Sequence, residues 1–173
     1  MEGYFVACAT GWMMGEGDVL QRLLKDEAAT IACGCALAAA LPASGAFAIA
    51  LGGPLGAGKS TLARALLRGL GVDGPIPSPT YTLIEPYSTR RGAVYHMDFY
   101  RLESVQEADL LGLDDIIQEQ ALCLVEWPER GAENLIDFDL KVALQHADPG
   151  RQIKLQAQTE AGQKVLKQMK DDT

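Results

Sequence analysis

No apolar run in this chain is long enough to cross a bilayer. The stretch from Ile31 to Leu41 is rich in alanine and stops at Pro42, so it reads as a buried or half-buried helix and no membrane span is expected. The first residues carry Glu2 and no early Lys or Arg, unlike the basic start of a secretory or transit peptide, and a cytoplasmic protein is expected. Cysteine is scarce and irregular. Cys8, Cys33, Cys35 and Cys123 form no CxxC pair, and His96 and His146 are the only imidazoles that could complete a zinc site, so buried free thiols are expected. Basic charge is also short: 15 Lys and Arg against 23 acids give a formal charge of −8 and a pI near 4.7. Such a field repels a phosphodiester backbone, and Arg90 with Arg91 is the only close basic pair, which argues against unaided binding to DNA or RNA.

The length suits one compact domain, and the 48% hydrophobic content is enough for a single core. Neither an internal repeat nor a second domain is visible. Residues 1–20 mix Gly, Met and Trp12 without a period and read as a loose extension; residues 21–160 read as the domain, and residues 161–173 as a polar tail or helix. Asp26 and Glu27 open a helix to about Leu41, with acids where the helix dipole favours them. Ala46 to Leu51 is a short apolar run between turn signals, the pattern of a strand buried on both faces. A helix from Ser60 to Leu70 follows, stopped by Gly69 and Gly71. Further strands are expected at 82–87, 93–99 and 121–126, with a helix over 104–119. The runs 139–144 and 152–157, separated by the turn at 148–150, predict a terminal antiparallel pair.

Between the first apolar strand and its helix lies GPLGAGKS, residues 53–60, which matches GxxxxGK[ST]. Gly53, Gly56 and Gly58 let the backbone curl with its amides inward, and the helix start adds a partial positive charge. Lys59 is expected to reach the β and γ phosphates of a nucleotide, and the Ser60 hydroxyl to bind magnesium. The loop reads phosphates and not the base. A guanine-selecting NKxD element is missing, since the only asparagine, Asn134, sits in NLID, so ATP is the favoured ligand.

A magnesium nucleotide site needs acids at neighbouring strand ends, and Asp98 in YHMDFY and Glu126 in CLVEW stand there. Glu126 follows the apolar run Cys123 to Val125 and is expected to bind magnesium directly or through water. His96 reads equally as a proton shuttle or a hydrogen-bonded packing residue. The segment PIPSPTYT, residues 75–82, joins stiff prolines to hydroxyls that suit phosphate, metal or water, or else is an ordinary strand-entry turn.

Taken in order, LGGPLGAGKSTLARALLRGLG, SPTYTLIEPY, YHMDFYRL and LVEWPERG resemble the TsaE family of small ATPases in bacterial tRNA threonylcarbamoyladenosine synthesis, over about residues 26–157. The resemblance implies a P-loop NTPase-like α/β domain, three layers deep, with a mixed, partly parallel sheet flanked by helices. It also implies a weak ATPase working with two partner proteins, one of them the transferase that modifies adenosine 37 of ANN-decoding tRNAs. Contact with tRNA would then run through those partners, and the isolated chain would be a monomer. By position, Gly56, Ala57, Gly58, Lys59, Ser60 and Thr61 would cradle the phosphates, and Ser60 with Glu126 would hold magnesium. Ser78, Thr80 and Thr82 fall in a loop resembling a GTPase switch, and Asp98 would orient water or support the residues that do. Glu27 and Arg151 match positions near the nucleotide, and Trp127 would pack beside the magnesium acid or simply fill core.

Two departures stand out. Pro54 occupies a position where the family usually carries an acid, removing a carboxylate and a backbone donor. Ser60 replaces a more frequent threonine and keeps the hydroxyl. Two rivals share the loop: a small-molecule kinase, although no compact Arg-rich lid is visible, and a binding module gated by nucleotide without obligate hydrolysis.

Overall fold

The computed structural model describes residues 19–103, 107, 111–131 and 135–171. Residues 1–18 of the expected extension, and residues 104–106 and 108–110 of the helix expected over 104–119, lie outside the described residues; in the remainder of that span a short helix is described at Leu113–Gln118, with residues 111–112 and 119 in turn. The strands are β1 (Val19–Leu24), β2 (Phe47–Gly52), β3 (Ile84–Thr89), β4 (Gly92–Asp98), β5 (Leu122–Glu126), β6 (Leu140–His146) and β7 (Arg151–Ala157). The α-helices are α1 (Glu27–Ala40), α2 (Lys59–Gly69), α3 (Leu113–Gln118) and α4 (Glu160–Asp171).

All seven strands form one sheet in the order β1-β7-β6-β2-β5-β4-β3. The pairs β2–β5, β2–β6 and β4–β5 are parallel, and β1–β7, β6–β7 and β3–β4 are antiparallel. Every residue of β2 is buried, because α1 and α2 cover one face and α3 with the 135–138 segment covers the other. Alternation splits its side chains between two cores: Phe47, Ile49 and Leu51 face one, Ala48 and Ala50 the other. In β6, Leu140, Val142 and Leu144 are buried while Lys141, Ala143 and Gln145 are half exposed, the pattern of a strand covered on one face.

Helices α1 and α2 cross at small residues, Gly34 and Ala38 lying against Ala65 and Gly69. Helix α4 buries Val165, Leu166 and Met169 in the same core, and Arg22 of β1 donates to the Met169 carbonyl at 2.7 Å. Asp139 ties three elements together: its carboxylate accepts from the Ala48 amide at 2.9 Å and from the Thr159 hydroxyl at 2.6 Å, just before α4. The first bond pairs a donor of the buried strand β2, and the second lies at the surface.

Two local expectations change. Val19 and Leu20, placed in the extension by their sequence context, belong to β1 and pair with Gln156 and Leu155 of β7. The strand expected to begin at residue 82 begins at Ile84, because residues 79–82 turn, the Leu83 amide donates to the Pro79 carbonyl at 2.7 Å, and Leu83 has a left-handed φ of 65°. Pro86 is tolerated in β3 because that strand is an edge of the sheet.

Candidate active site at the carboxyl edge of the parallel strands

The parallel strands β2, β5 and β4 end side by side, and in register Leu51 faces Glu126 and Glu126 faces Asp98. The glycine-rich loop leaves β2 at this edge, so loop and acids share one cleft. Its lining includes Gly56, Gly58, Lys59, Ser60, Thr61, Thr80, Asp98, Glu126 and Arg151, together with Glu27 from the start of α1. Residues spread over more than a hundred positions of sequence thus meet at a sheet edge where α/β folds open crevices. Ala57 differs from its neighbours: its side chain is core, and its amide donates inside the loop to the Pro54 carbonyl at 3.2 Å.

Gly53 is required by space as well as by φ: at φ 132° it leaves no room for a Cβ against the Leu144 carbonyl. Gly58, at φ 103°, is required by its backbone conformation, and its neighbour is the movable Arg151 guanidinium. Gly58 is also the N-cap of α2 and supplies no side chain to the first turn. The helix therefore opens onto the cleft without a side-chain cap, with its partial positive charge toward any anion there.

Lys59 is 4% exposed. Its ammonium donates to the carbonyls of Gly53 at 2.7 Å and Pro54 at 3.0 Å and lies 3.9 Å from the centroid of the Trp127 ring. Burial pushes its pKa below that of an ordinary lysine, opposed by the charges of Glu126, Glu129 and Asp98. Trp127 reaches this position from a left-handed backbone, φ 55° and ψ 50°, a conformation that costs a bulky residue about 1–3 kcal/mol and clusters at functional sites. Its ring also meets Tyr100, with centroids 5.0 Å apart, and the Arg130 guanidinium lies over both.

Glu126 is 1% exposed, and both its oxygens are engaged. Oε2 accepts the Ser60 hydroxyl at 2.9 Å, and Oε1 faces His96 Nε2 at 2.8 Å. Asp98 is held as tightly: Oδ2 accepts the Thr80 hydroxyl at 2.6 Å and Oδ1 the Tyr100 amide at 2.9 Å. Ser78 extends the chain, its hydroxyl 3.1 Å from that of Thr80, so the 75–82 segment is tied to the acid at the end of β4. Thr82 lies in the same turn but is not part of the cleft lining.

The donors suit a hard cation of the magnesium type: a hydroxyl and a carboxylate oxygen stand 2.9 Å apart beside an anion-favouring helix start. Among the described residues no group of three or more His, Cys, Asp or Glu side chains could enclose a metal alone, so a cation here would take its other ligands from phosphate and water. Leu55 and Tyr100 also line the cleft and were not singled out by the sequence. Tyr100 sits inside YHMDFYRL, where the acid drew the eye; Leu55 is 69% exposed at the loop tip, and its apolar type carries no signal of a site.

The family model described as threonylcarbamoyl adenosine biosynthesis protein TsaE matches residues 24–153. The tRNA threonylcarbamoyladenosine biosynthesis protein TsaE of Haemophilus influenzae is 40% identical over 121 residues, which cover 70% of this chain and 77% of that protein. The Bacillus subtilis protein of the same name is 39% identical over 110 residues, covering 63% and 68%. The crystal structure of Bacillus subtilis YdiB superposes with a TM-score of 0.73 at 28% identity, over 90% of this chain and 97% of that one. The ordered motifs, the mixed sheet and these matches lead to one conclusion: the chain belongs to the TsaE family of tRNA threonylcarbamoyladenosine biosynthesis proteins.

Proposed function

We propose that the cleft binds ATP with magnesium, that the chain slowly hydrolyses it to ADP and phosphate, and that this cycle resets the assembly that installs threonylcarbamoyl on adenosine 37 of ANN-decoding tRNAs. The observation that carries this reading is the meeting of an uncapped helix start, a buried lysine and the Ser60–Glu126 oxygen pair in one cleft.

Lys59 exchanges the two loop carbonyls for the β and γ phosphate oxygens, which match its charge better than neutral acceptors do. The amides at the start of α2 hold the same phosphates, while Arg151, packed over Gly58, adds a cation beside them. Ser60 and Glu126 hold magnesium, which when bound neutralises charge on the transferred phosphoryl group. Asp98, fixed by Thr80 and the Tyr100 amide, orients the attacking water in line with the bond that breaks. Two partner proteins complete the assembly and carry the contact with tRNA, in keeping with a net charge of −8.

Incubation with ATP labelled in its γ-phosphate, with partners present, tests the reaction class. Label released as free phosphate is expected. Label found in a small organic acceptor would make the chain a kinase, and partner assembly equally productive with a non-hydrolysable analogue would make it a nucleotide-gated binding module.

A further inference from the structure

His96 is fully buried in β4, on the sheet face that also carries Val94 and Asp98, and its register partner in β5 is Leu124. Its Nε2 stands 2.8 Å from Oε1 of Glu126, whereas Nδ1 has no hydrogen-bond partner among the described residues. With an acceptor carboxylate on one side and nothing on the other, the ring proton belongs on Nε2. Burial removes water as a relay partner, so His96 is placed to hold a carboxylate and not to shuttle a proton.

We infer that His96 is a positioning residue for the metal-binding carboxylate: by donating to Oε1 it fixes the rotation of the Glu126 carboxylate and leaves Oε2 as the oxygen presented to Ser60 and to a cation. This rests on the reading of Ser60 and Glu126 as magnesium ligands. Two opposed contacts, His96 on Oε1 and Ser60 on Oε2, define the plane of the carboxylate. Without the imidazole donor, Oε1 is a buried acceptor with no partner, and the carboxylate turns to find one. The cation site then loses a preset oxygen, and supporting bonds of this kind are worth about ten- to a hundredfold in metal affinity.

The test measures the affinity of the full chain for a fluorescent ADP analogue in magnesium and in EDTA, and takes the ratio as the magnesium enhancement. His96→Leu removes the donor, and His96→Asn keeps an amide but ends it near the position of Nδ1; both are expected to lower the enhancement about tenfold or more. Their affinity in EDTA should stay within about twofold of wild type, because the phosphate loop itself is untouched. His96→Gln, whose amide nitrogen can stand in for Nε2, is expected to restore most of the enhancement. Should His96→Leu fail to fold, His96→Asn against His96→Gln carries the same comparison. Enhancement of wild-type size in His96→Leu or His96→Asn overturns the inference, as does a His96→Gln chain no better than His96→Asn. A wild-type chain whose affinity ignores magnesium instead overturns the assignment of Ser60 and Glu126.

Discussion

Helix α1 starts on Asp26, whose carboxylate accepts the Ala29 amide at 2.7 Å, whereas its neighbour α2 starts on Gly58 with no side chain closing its first turn. The two helices pack against each other through small residues, and both starts reach toward the same cleft, where Glu27 joins the lining beside the loop. One start is satisfied by its own sequence; the other is left open and has a buried cation beside it. An acidic or hydroxyl cap stabilises a helix start by about 1 kcal/mol over alanine and by a few tenths of that over glycine. The α2 start forgoes that stabilisation where a phosphate would supply it, and departures from local rules of this kind concentrate at functional sites.

The largest expected effect comes from removing what makes the α2 start different. Lys59→Ala deletes the ammonium and Glu126→Ala deletes the carboxylate opposite Ser60. On the proposed reading each lowers ATP turnover, with partners present, by about a hundredfold or more, measured as phosphate release. Turnover at the wild-type rate in both variants would remove the distinction between the two helix starts.

A smaller effect, of a different kind, is expected at α1. Asp26→Ala removes a cap and no cleft residue, so thermal unfolding should show a loss of about 1 kcal/mol, or a shift of about 2–4 °C for a chain of this size. Nucleotide affinity should stay within about twofold of wild type. A large loss of affinity with unchanged stability would mean that Asp26 serves the cleft and not the helix.

Much of this contrast was legible in the chain itself. Asp26 as the opening of α1, the apolar β2, the glycines and the lysine follow local rules of period, cap and turn, and those rules place them within a residue or two. The acids at 98 and 126 were legible because each ends an expected strand, Glu126 after an apolar run. The antiparallel pair β6–β7 was legible because a short turn joins its strands, whereas pairing between strands distant in sequence was not. Strand β1 takes its register from β7, more than a hundred residues away, and nothing in VLQRLL announces that partner. The partner of His96 was hidden for the same reason: parallel pairing of β4 with β5 brings Glu126 to it, and the sequence around His96 offers only Tyr95 and Asp98. Tyr100 and Leu55 were missed because an aromatic or apolar side chain reads as packing until the surface it lines is known.

On the proposed reading, the open start of α2, with Lys59, serves the making of threonylcarbamoyladenosine in tRNA. The most direct measurement is the content of that nucleoside in tRNA from cells whose own copy of the gene is switched off and replaced by wild type, Lys59→Ala or Asp26→Ala. Wild type and Asp26→Ala should restore the modification and Lys59→Ala should not. Full restoration by Lys59→Ala would mean that the loop lysine is dispensable for the modification.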